Sequence, residues 1–340
     1  MMKKKNILVF TLIVGLGLIV YTYSKLGITD MVRAFRNLSL QILLVYFSIT
    51  FGIELLLALR WYIIVKAFNH DVPFLRIFLY RLSGYAIGYI TPQAHVGGEP
   101  VRAMLLKKHN VDFKEGFGTV LVDKSMQMMT DILFALIWVI YFILHFSTDN
   151  NIAFVLVGGI SVSVLFLAFY FYRMIKNKPF FSALFNIRPL RKFEKAKEQT
   201  KEVEEIIHTF YVKQFKYFFL NIVINVLAYV LMIFEYGTIL RLFGYDPTLS
   251  SILILIGGVA MSYSLPVPMA LGVLEFAQVK ALEFLDMDRS IGLSMSLLVR
   301  AKDLIRTTVG LGVTAYFGLK ISDALKKTET KDELQAVEVY

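Results

Sequence analysis

Residues 152–172 read IAFVLVGGISVSVLFLAFYFY, a run without one charged side chain. A helix of about 20 apolar residues is long enough to cross the hydrocarbon core of a bilayer, which is roughly 30 Å thick. Similar runs recur along the 340 residues, of which 57% are hydrophobic and only 18% are charged, whereas soluble chains carry about 25% charged residues. The sequence therefore predicts an all-α polytopic membrane protein. About six full transmembrane helices are expected, at 7–23, 41–59, 117–144, 152–172, 215–240 and 290–319.

The distribution of lysine and arginine predicts the orientation of these helices. The connection 145–151 carries neither residue, whereas the connection 173–216 and the segment after the last span are rich in them. Because cytoplasmic loops carry the excess of basic residues, we expect both termini on the cytoplasmic side of the cell membrane, with an uncleaved first helix. The segment 24–40 is basic on the predicted outer side and is interpreted as a short interfacial helix. The net charge of +10 comes mostly from residues that border apolar spans, so membrane lipids and not nucleic acid are the expected partners.

The predicted organisation is a single transmembrane domain, 1–326, followed by a polar tail, 327–340, that is expected to be disordered. Two halves, about 41–172 and 215–320, are joined by a cytoplasmic amphipathic linker at 173–214. The oligomeric state is not predicted by these features.

The linker has a helical pattern of its own. Apolar side chains recur from Phe193 to Phe210 at helical spacing, with Glu and Lys between them. This pattern is typical of a helix that lies along the inner membrane surface. A plain connecting helix and a docking site for a cytoplasmic partner at 190–210 both remain compatible with it.

The chain contains an internal repeat. Five residues fall on equivalent residues when the sequence is shifted by 176 positions: Pro92 on Pro268, Glu99 on Glu275, Asp112 on Asp288, Gly116 on Gly292 and the basic Lys124 on the basic Arg300. The repeat covers two apolar hairpins that are broken by Pro and Gly, at 74–108 and 250–286. Three spans lie between them, so the predicted topology enters the hairpins from opposite sides. Such an inverted repeat is typical of secondary transporters.

The two hairpin tips contain residues that break helices. They are Pro92, Gly97 and Gly98 in the first tip and Pro266, Pro268 and Gly272 in the second. Each returning helix begins with a carboxylate, Glu99 or Glu275, at a helix N-terminus that attracts anions. A first-turn carboxylate can simply stabilise its own helix. Because ionisable residues at membrane depth are expensive, the functional alternative is gating or proton coupling, with Asp123 as a further candidate.

The last span has the densest set of ionisable residues. Arg300, Asp303 and Arg306 recur every three residues and so share one helix face, on which the acid can pair with either base. We expect this face, together with Arg102 and Lys124, to bind an anionic headgroup. A snorkelling or interfacial role is the alternative for Lys124 and for Lys302 of the last span. Glu54 and Glu235 lie in apolar spans, where either could face a central cavity or an inter-helix hydrogen bond.

No cofactor or metal site is expected from the sequence. Cysteine is absent, the histidines form no cluster, and the glycine pair between His95 and Glu99 is incompatible with helical metal-ligand geometry.

Several motifs carry a family resemblance. They are ThrPro…GlyGlyGluProValArg…LeuLeuLysLys at 91–108, ValAspLys…Asp at 122–131, ProValPro…LeuGlyValLeuGlu at 266–275 and LeuValArg…Asp at 298–303. Together they resemble the flippase-like membrane domain of lysylphosphatidylglycerol synthases over about 5–322. In the two-part synthases this domain moves an aminoacylated lipid between leaflets, and a separate soluble domain makes that lipid. The resemblance implies a stand-alone member without the soluble part. The second tip has Met269-Ala270 where glycines are common in the family.

The predicted function is a flippase-like transporter that moves an anionic or zwitterionic lipid, phospholipid or polyprenyl-phosphate-linked, between leaflets. The headgroup would lie in a polar cavity between the hairpin tips. An enzyme acting on lipid headgroups would need a catalytic constellation, and none is evident, so the protein is expected not to be an enzyme. The other alternative is a membrane scaffold for a lipid- or envelope-modifying enzyme.

Overall fold

The computed structural model describes residues 17, 20, 38–91, 97–146, 150–187, 193–265 and 267–317. The regular structure of these residues is helical, which confirms the predicted all-α class. Short 3₁₀ turns lie at Lys107–His109, Ser182–Asn186 and Pro268–Ala270. The α-helices are α1 (Leu40–Ala67), α2 (Phe74–Ile90), α3 (Glu99–Leu106), α4 (Phe113–His145), α5 (Asn150–Ile175), α6 (Glu194–Lys213), α7 (Phe215–Leu242), α8 (Leu249–Ser264), α9 (Val273–Phe284) and α10 (Arg289–Tyr316).

Four of these helices, α1, α4, α5 and α7, are long and apolar enough to cross a bilayer. They have 26 to 33 residues, and a helix rises 1.5 Å per residue. Large apolar side chains stay exposed along them, such as Phe154 of α5 at 79%. Contiguous apolar surface of this kind marks contact with a membrane or a partner. The chain is therefore a polytopic membrane protein.

The other predicted spans have different outcomes. The first, 7–23, lies outside the described residues except for positions 17 and 20, as does most of the interfacial segment 24–40. The last corresponds to α10, whose 28 residues are long enough to cross. Ionisable residues in its middle reduce its hydropathy, so it does not belong to the four apolar helices above. The expected total of about six transmembrane helices stays a prediction.

Both predicted hairpins have a long arm and a shorter returning arm. The returning helix α3 has 8 residues and α9 has 12, which correspond to roughly 12 Å and 18 Å. Neither length covers a hydrocarbon core of about 30 Å. In the first hairpin the chain comes back so close that a Cβ on Gly98 would lie 1.9 Å from the carbonyl oxygen of Gly84. In the second, the Ser262 hydroxyl donates to the Val273 carbonyl at 3.3 Å. These lengths and contacts favour re-entrant hairpins.

The turns after the two returning arms have the same local structure. Asn110 and Asp286, which are 176 positions apart, both have left-handed backbones, with φ of 58° and 55°. Two residues later Asp112 caps α4 by accepting the Lys114 amide at 2.9 Å, and Asp288 caps α10 by accepting the Ser290 amide at 2.9 Å.

A glycine follows each cap at the same distance and packs on the returning arm. A Cβ on Gly116 would lie 3.4 Å from the Ala103 carbonyl oxygen, and one on Gly292 would lie 2.8 Å from Val279 Cα. The 176-residue register therefore corresponds to a repeated structural unit. The inverted orientation of the halves stays a prediction.

The chain folds into two compact units. Of the described residues, those within 1–55, 79–101 and 228–325 form unit I, and those within 56–78 and 102–227 form unit II. This division follows compactness and not the internal repeat. The predicted domain 1–326, with halves 41–172 and 215–320 and linker 173–214, stays a prediction.

The amphipathic linker helix α6 packs within unit II. Its apolar face is buried at Val203, Ile207 and Phe210, and Ile206 lies so close to Gly118 of α4 that a Cβ there would be 2.7 Å away. Glu204 accepts the Phe180 amide at 2.7 Å, the Ser182 amide at 3.0 Å and the Ser182 hydroxyl at 2.5 Å. The predicted tail, 327–340, and residues 190–192 of the predicted partner site lie outside the described residues.

Candidate functional site

Eight ionisable side chains of apolar helices come together in pairs within unit I. We call them the unit I cluster: Glu54 of α1, Arg81 of α2, Glu235 of α7, Glu275 of α9, and Arg300, Lys302, Asp303 and Arg306 of α10. The four carboxylate side chains are 0–6% exposed, and the four cationic ones are 12–18% exposed. Four acids and four bases give a formal charge of zero. Buried charges are tolerated when they are paired and hydrogen-bonded.

Arg300 uses all five of its N–H donors. It binds the Glu275 carboxylate in a bidentate manner, with Nε to Oε1 at 2.9 Å and Nη2 to Oε2 at 3.0 Å. It also donates to the Tyr89 hydroxyl at 3.1 Å, to the Ala270 carbonyl at 3.0 Å and to the Met269 carbonyl. A guanidinium has five donors, so a phosphate oxygen can bind Arg300 only by replacing one of these acceptors.

The second hairpin tip is therefore attached to α10. Its 3₁₀ turn, Pro268–Ala270, has left-handed backbones at Met269 and Ala270, with φ of 55° and 48°. Non-glycine residues pay roughly 1–2 kcal/mol each for this conformation, and Arg300 bonds to both of their carbonyls. Gly272, with φ of 74°, precedes the first residue of α9. Pro266 lies outside the described residues.

Arg306 and Asp303 form the next part of the cluster. Arg306 donates to Glu54 Oε1 at 2.6 Å and to Asp303, while Arg81 donates to the other oxygen of Glu54. Asp303 also accepts the hydroxyl of Tyr85 at 2.9 Å and that of Tyr263. Glu54 thus has two arginines, and Asp303 has one arginine and two phenols.

Lys302 forms the last part of the cluster with Glu235. Its ammonium lies 3.0 Å from Oε1 and 3.1 Å from Oε2 of Glu235. The Thr50 hydroxyl of α1 also donates to Oε1, at 2.5 Å.

Four buried polar atoms of unit I have no hydrogen-bond partner among the described residues: Tyr46 OH, Ser294 Oγ, Arg306 Nε and Thr307 Oγ1. Most buried polar atoms have such a partner. Tyr46 lies in the electrostatic range of Glu235, Asp303 and Arg306. A polar ligand that reached this part of the cluster would therefore find groups able to hydrogen-bond to it.

Unit II has a smaller ionic cluster around Asp123. Arg60 Nε donates to Oδ1 of Asp123 at 2.6 Å, and Arg102 Nη2 donates to Oδ2 at 2.7 Å. Arg60 also donates to Asn225 at 2.7 Å. The Arg102 guanidinium lies 3.9 Å above the Trp61 ring, a cation–π contact. Arg102 and Asp123, which the sequence predicts in separate roles, are therefore partners.

The remaining predicted residues belong to the first hairpin and α4. Glu99 begins α3 and accepts the Gly97 amide at 2.8 Å, which matches the helix-start alternative. Gly97 has φ of 144°, a backbone that favours glycine, and Gly98 packs against Gly84. Lys124 lies half-buried on α4. Pro92 lies outside the described residues.

Sequence reasoning missed several partners in these clusters. Glu54 and Glu235 were recognisable as carboxylates in apolar spans, and the structure places them in ion pairs. Arg60 and Arg81 carried the same signal, because a basic residue within an apolar helix needs a partner. The phenols Tyr85, Tyr89 and Tyr263 had no sequence signal.

Metal binding and cavities are the remaining features that bear on a ligand. Among the described residues, no group of three or more His, Asp or Glu side chains could hold a metal ion. A cavity of about 400 Å³ lies at the ends of α1 and α7, lined by residues that include Ser39, Ile42 and Arg241. This cavity contains none of the predicted headgroup-binding residues.

The chain resembles membrane proteins of three archaea. A UPF0104 membrane protein of Methanothermobacter thermautotrophicus is 35% identical over 123 residues, 35% of this chain and 36% of that protein. One of Methanocaldococcus jannaschii is 27% identical over 133 residues, 39% of this chain and 40% of that protein. These two matches span less than half of each relative's length. One of Pyrococcus horikoshii is 22% identical over 317 residues, 87% of this chain and 92% of that protein.

No solved structure matches the chain. The family model described as the lysylphosphatidylglycerol synthase TM region matches residues 8–310. Most of the described helices, and both ionic clusters, lie within this match. The chain therefore belongs to the family of the lysylphosphatidylglycerol synthase transmembrane region.

Proposed function

We propose that this protein moves a lipid with an anionic or zwitterionic headgroup between the leaflets of the cell membrane. The observation that carries the proposal is the unit I cluster. It places two arginines, Arg300 and Arg306, on a helix long enough to span the membrane, each held by a carboxylate that a phosphate group can replace. Guanidinium groups bind carboxylates and phosphates with the same bidentate geometry. Membership of a family named for a lipid synthase supports a lipid as the substrate.

Headgroup binding at Arg300 requires Glu275 to give way, since all five donors of Arg300 are used in the structure. This gives Glu275 the gating role that its position at the hairpin suggests. When phosphate replaces Glu275 at Arg300, the hydrogen bonds from Arg300 to the Met269 and Ala270 carbonyls of the second tip are affected as well. Headgroup capture and movement of the second hairpin are thereby coupled.

The proposal also covers the orientation of the chain in the membrane and a transport step without a chemical reaction of the lipid. Both termini lie in the cytoplasm, the two hairpins enter from opposite sides, and the lipid leaves with its covalent bonds unchanged. The buried apolar face of α6 argues against the scaffold alternative, because this face packs on α4 and α5 and is not open to a partner.

Lipid translocation in proteoliposomes tests the function. A trace of fluorescently labelled phosphatidylglycerol is placed in phosphatidylcholine vesicles, and dithionite quenching reports the label in the outer leaflet. We expect protein-dependent movement that Arg300→Ala and Glu275→Gln reduce at least tenfold, since lost hydrogen bonds to a charged group cost about 1.5–3 kcal/mol. Arg289→Ala is the matched control, because this exposed arginine begins the same helix.

Mass spectrometry of the recovered lipid completes the experiment. Unchanged lipid supports transport, whereas a modified headgroup would support the enzyme alternative. Equal rates for wild type, Arg300→Ala and Glu275→Gln would contradict the roles assigned to these two residues.

A further inference from the structure

We propose that Glu235 is an exchangeable proton-binding site, with Lys302 as its counter-charge, and that it takes up one proton for each negative charge that a lipid headgroup brings into the unit I cluster. This inference rests on the proposed transport function and names the group that couples transport to protons. It differs from the sequence prediction, which considered Glu99, Glu275 and Asp123 for this task.

The unit I cluster is electrically neutral without a headgroup. Its four acids and four bases are mutually paired and sum to zero. A singly negative headgroup adds an uncompensated charge to a buried site, which is costly in an apolar environment. Uptake of one proton by a carboxylate restores neutrality. The question is which of the four carboxylates can accept it.

Before the headgroup binds, three of the carboxylates are paired with arginine. Glu54 bonds to both Arg81 and Arg306, and Glu275 forms a bidentate pair with Arg300. Asp303 bonds to Arg306 and accepts two phenol hydroxyls. Arginine does not lose its proton in proteins, and a carboxylate beside a fixed guanidinium favours its charged form.

Glu235 differs because its cationic partner is a lysine. Lys302 presents one ammonium on a flexible stem, at 3.0 Å and 3.1 Å from the two carboxylate oxygens. Such a point charge has none of the preorganised geometry of the arginine fork and moves away at lower cost. Its side chain is 12% exposed, whereas that of Glu235 is 2% exposed. The ammonium is therefore the more accessible partner of the pair.

The surroundings of the pair favour proton exchange. Thr50 of α1 donates to Glu235, and the buried hydroxyl of Tyr46, also on α1, lies within electrostatic range of Glu235. Tyr236 of α7 and Asp303 and Arg306 of α10 also lie within electrostatic range of Lys302. Hydroxyl groups on α1 can thus accept from a protonated Glu235 or pass a proton to it.

The proton balance is simple. A proton from the acidic side binds one oxygen of Glu235 and neutralises the carboxylate, and Lys302 keeps its charge and loses its anionic partner. The freed ammonium then binds the phosphate of the headgroup. When the headgroup leaves, the proton leaves Glu235 and the ion pair forms again. One proton and one negative headgroup therefore move together.

The first experiment detects the proton directly and does not require transport. Infrared difference spectra of the reconstituted protein are recorded on acidification in phosphatidylcholine vesicles, with and without phosphatidylglycerol. We expect a protonated-carboxyl band that phosphatidylglycerol strengthens and that Glu235→Gln removes. Glu283→Gln, which changes an exposed carboxylate of α9, should leave the band unchanged. A band that persists in Glu235→Gln would overturn the assignment.

The second experiment measures labelled lipid movement under a pH gradient of either direction. Negatively charged phosphatidylglycerol should leave the acidic side several-fold faster than without a gradient, whereas zwitterionic phosphatidylcholine should not respond. Lys302→Arg keeps the positive charge but places it on a planar guanidinium that can bind the carboxylate through two N–H groups. Transport of phosphatidylglycerol by this variant should therefore lose the pH response. The double variant Glu235→Gln/Lys302→Met removes both charges together and should lose the response without leaving a buried charge unpaired.

The outcomes separate the two proposals. If wild-type protein moves no lipid, the proposed function fails, and the infrared band alone decides the proton site. If it moves phosphatidylglycerol and the gradient has the same effect on wild type and Lys302→Arg, transport stands and the proton site is wrong.

Discussion

The two long helices that follow the hairpins, α4 and α10, each form an ion pair with the returning arm before them, but the charges are exchanged. In unit I the acid Glu275 lies in the first turn of α9 and the base Arg300 lies on α10. In unit II the base Arg102 lies in the first turn of α3 and the acid Asp123 lies on α4. The turns between the helices are alike, with a left-handed residue, an aspartate cap and a glycine. The repeated backbone thus brings an ion pair between the returning arm and the long helix, but it does not determine which of the two helices carries the acid.

The surroundings of the two pairs also differ. Arg60 and Asp123 of unit II are 2% and 1% exposed, whereas Arg102, which stacks on the Trp61 ring, is 11% exposed. The cations of unit I are 12–18% exposed, and two of them are arginines on α10, a helix long enough to span the membrane. We interpret the unit II cluster as structural and the unit I cluster as the place where a headgroup is handled.

The largest effect is expected from removing the acid of each pair. Asp123→Asn leaves two buried arginines without a carboxylate, and breaking a buried pair costs about 3–5 kcal/mol. Glu275→Gln leaves Arg300 with the Tyr89, Met269 and Ala270 acceptors, so we expect a loss of only about 1–2 kcal/mol. Chemical unfolding in detergent micelles measures both. Asp131→Asn, an exposed site on α4, is the control, and equal losses at Asp123 and Glu275 would contradict the assignment of roles.

The next-largest effect is expected at the two glycines, Gly116 and Gly292, that pack on the returning arms. A Cβ at Gly292 would meet Val279 backbone atoms at 2.8 Å and 2.9 Å, so Gly292→Ala should reduce the free energy of unfolding by about 1–3 kcal/mol. At Gly116 the nearest atoms are 3.3–3.4 Å away, one of them on the flexible Leu106 side chain. Gly116→Ala should change stability by less than about 1 kcal/mol, because the better helix propensity of alanine offsets the contact. A larger loss at Gly116 would show that the two arms pack differently from the structure described above.

The caps should behave equally in both halves. Asp112→Ala and Asp288→Ala each remove a side-chain acceptor at 2.9 Å from a helix N-terminus, which costs about 1 kcal/mol. The same unfolding measurement applies, with Asp112→Asn and Asp288→Asn as variants that keep a capping oxygen. Losses that differ by more than about 1 kcal/mol between the halves would argue against a shared structural unit.

The smallest effect concerns the second tip. Met269→Gly removes the penalty of a left-handed backbone, roughly 1–2 kcal/mol, and adds the entropy cost of glycine, about 0.5–1 kcal/mol. We expect a net gain of up to about 1 kcal/mol in wild type, and a larger gain in Arg300→Ala, where the carbonyl contacts are lost. Chemical unfolding of wild type, the two single variants and the double variant measures both gains. No difference between these two backgrounds would contradict the role of Arg300 in holding the tip.

Part of the site could be predicted from local spacing. Arg300, Asp303 and Arg306 share a helix face, and the pairing of Asp303 with Arg306 follows from that spacing alone. The partner of Arg300 does not, because the guanidinium turns toward Glu275 on α9 and away from Asp303. The Glu99 helix start is similarly local, and its contact with the Gly97 amide lies within the same tip.

The partners of Glu54 and Glu235 could not be predicted because they are distant in sequence. Glu54 bonds to Arg306 across 252 positions, and Glu235 bonds to Lys302 across 67. Apolar helices carry little information about which faces meet, since any apolar face can contact lipid or another helix. A charged residue in an apolar span therefore indicates that it has a partner, but the sequence does not show which residue the partner is.

The sequence by itself determined the all-α membrane class, the position of the hairpins and the family. These depend on the lengths of apolar runs, on helix-breaking residues and on short motifs, which are properties of contiguous sequence. Only the tertiary structure decided the pairing of the charges, the complete use of the Arg300 donors and the lysine partner of Glu235. Pairing depends on which helices meet and at what height, and helices that are far apart in the chain meet only when it is folded.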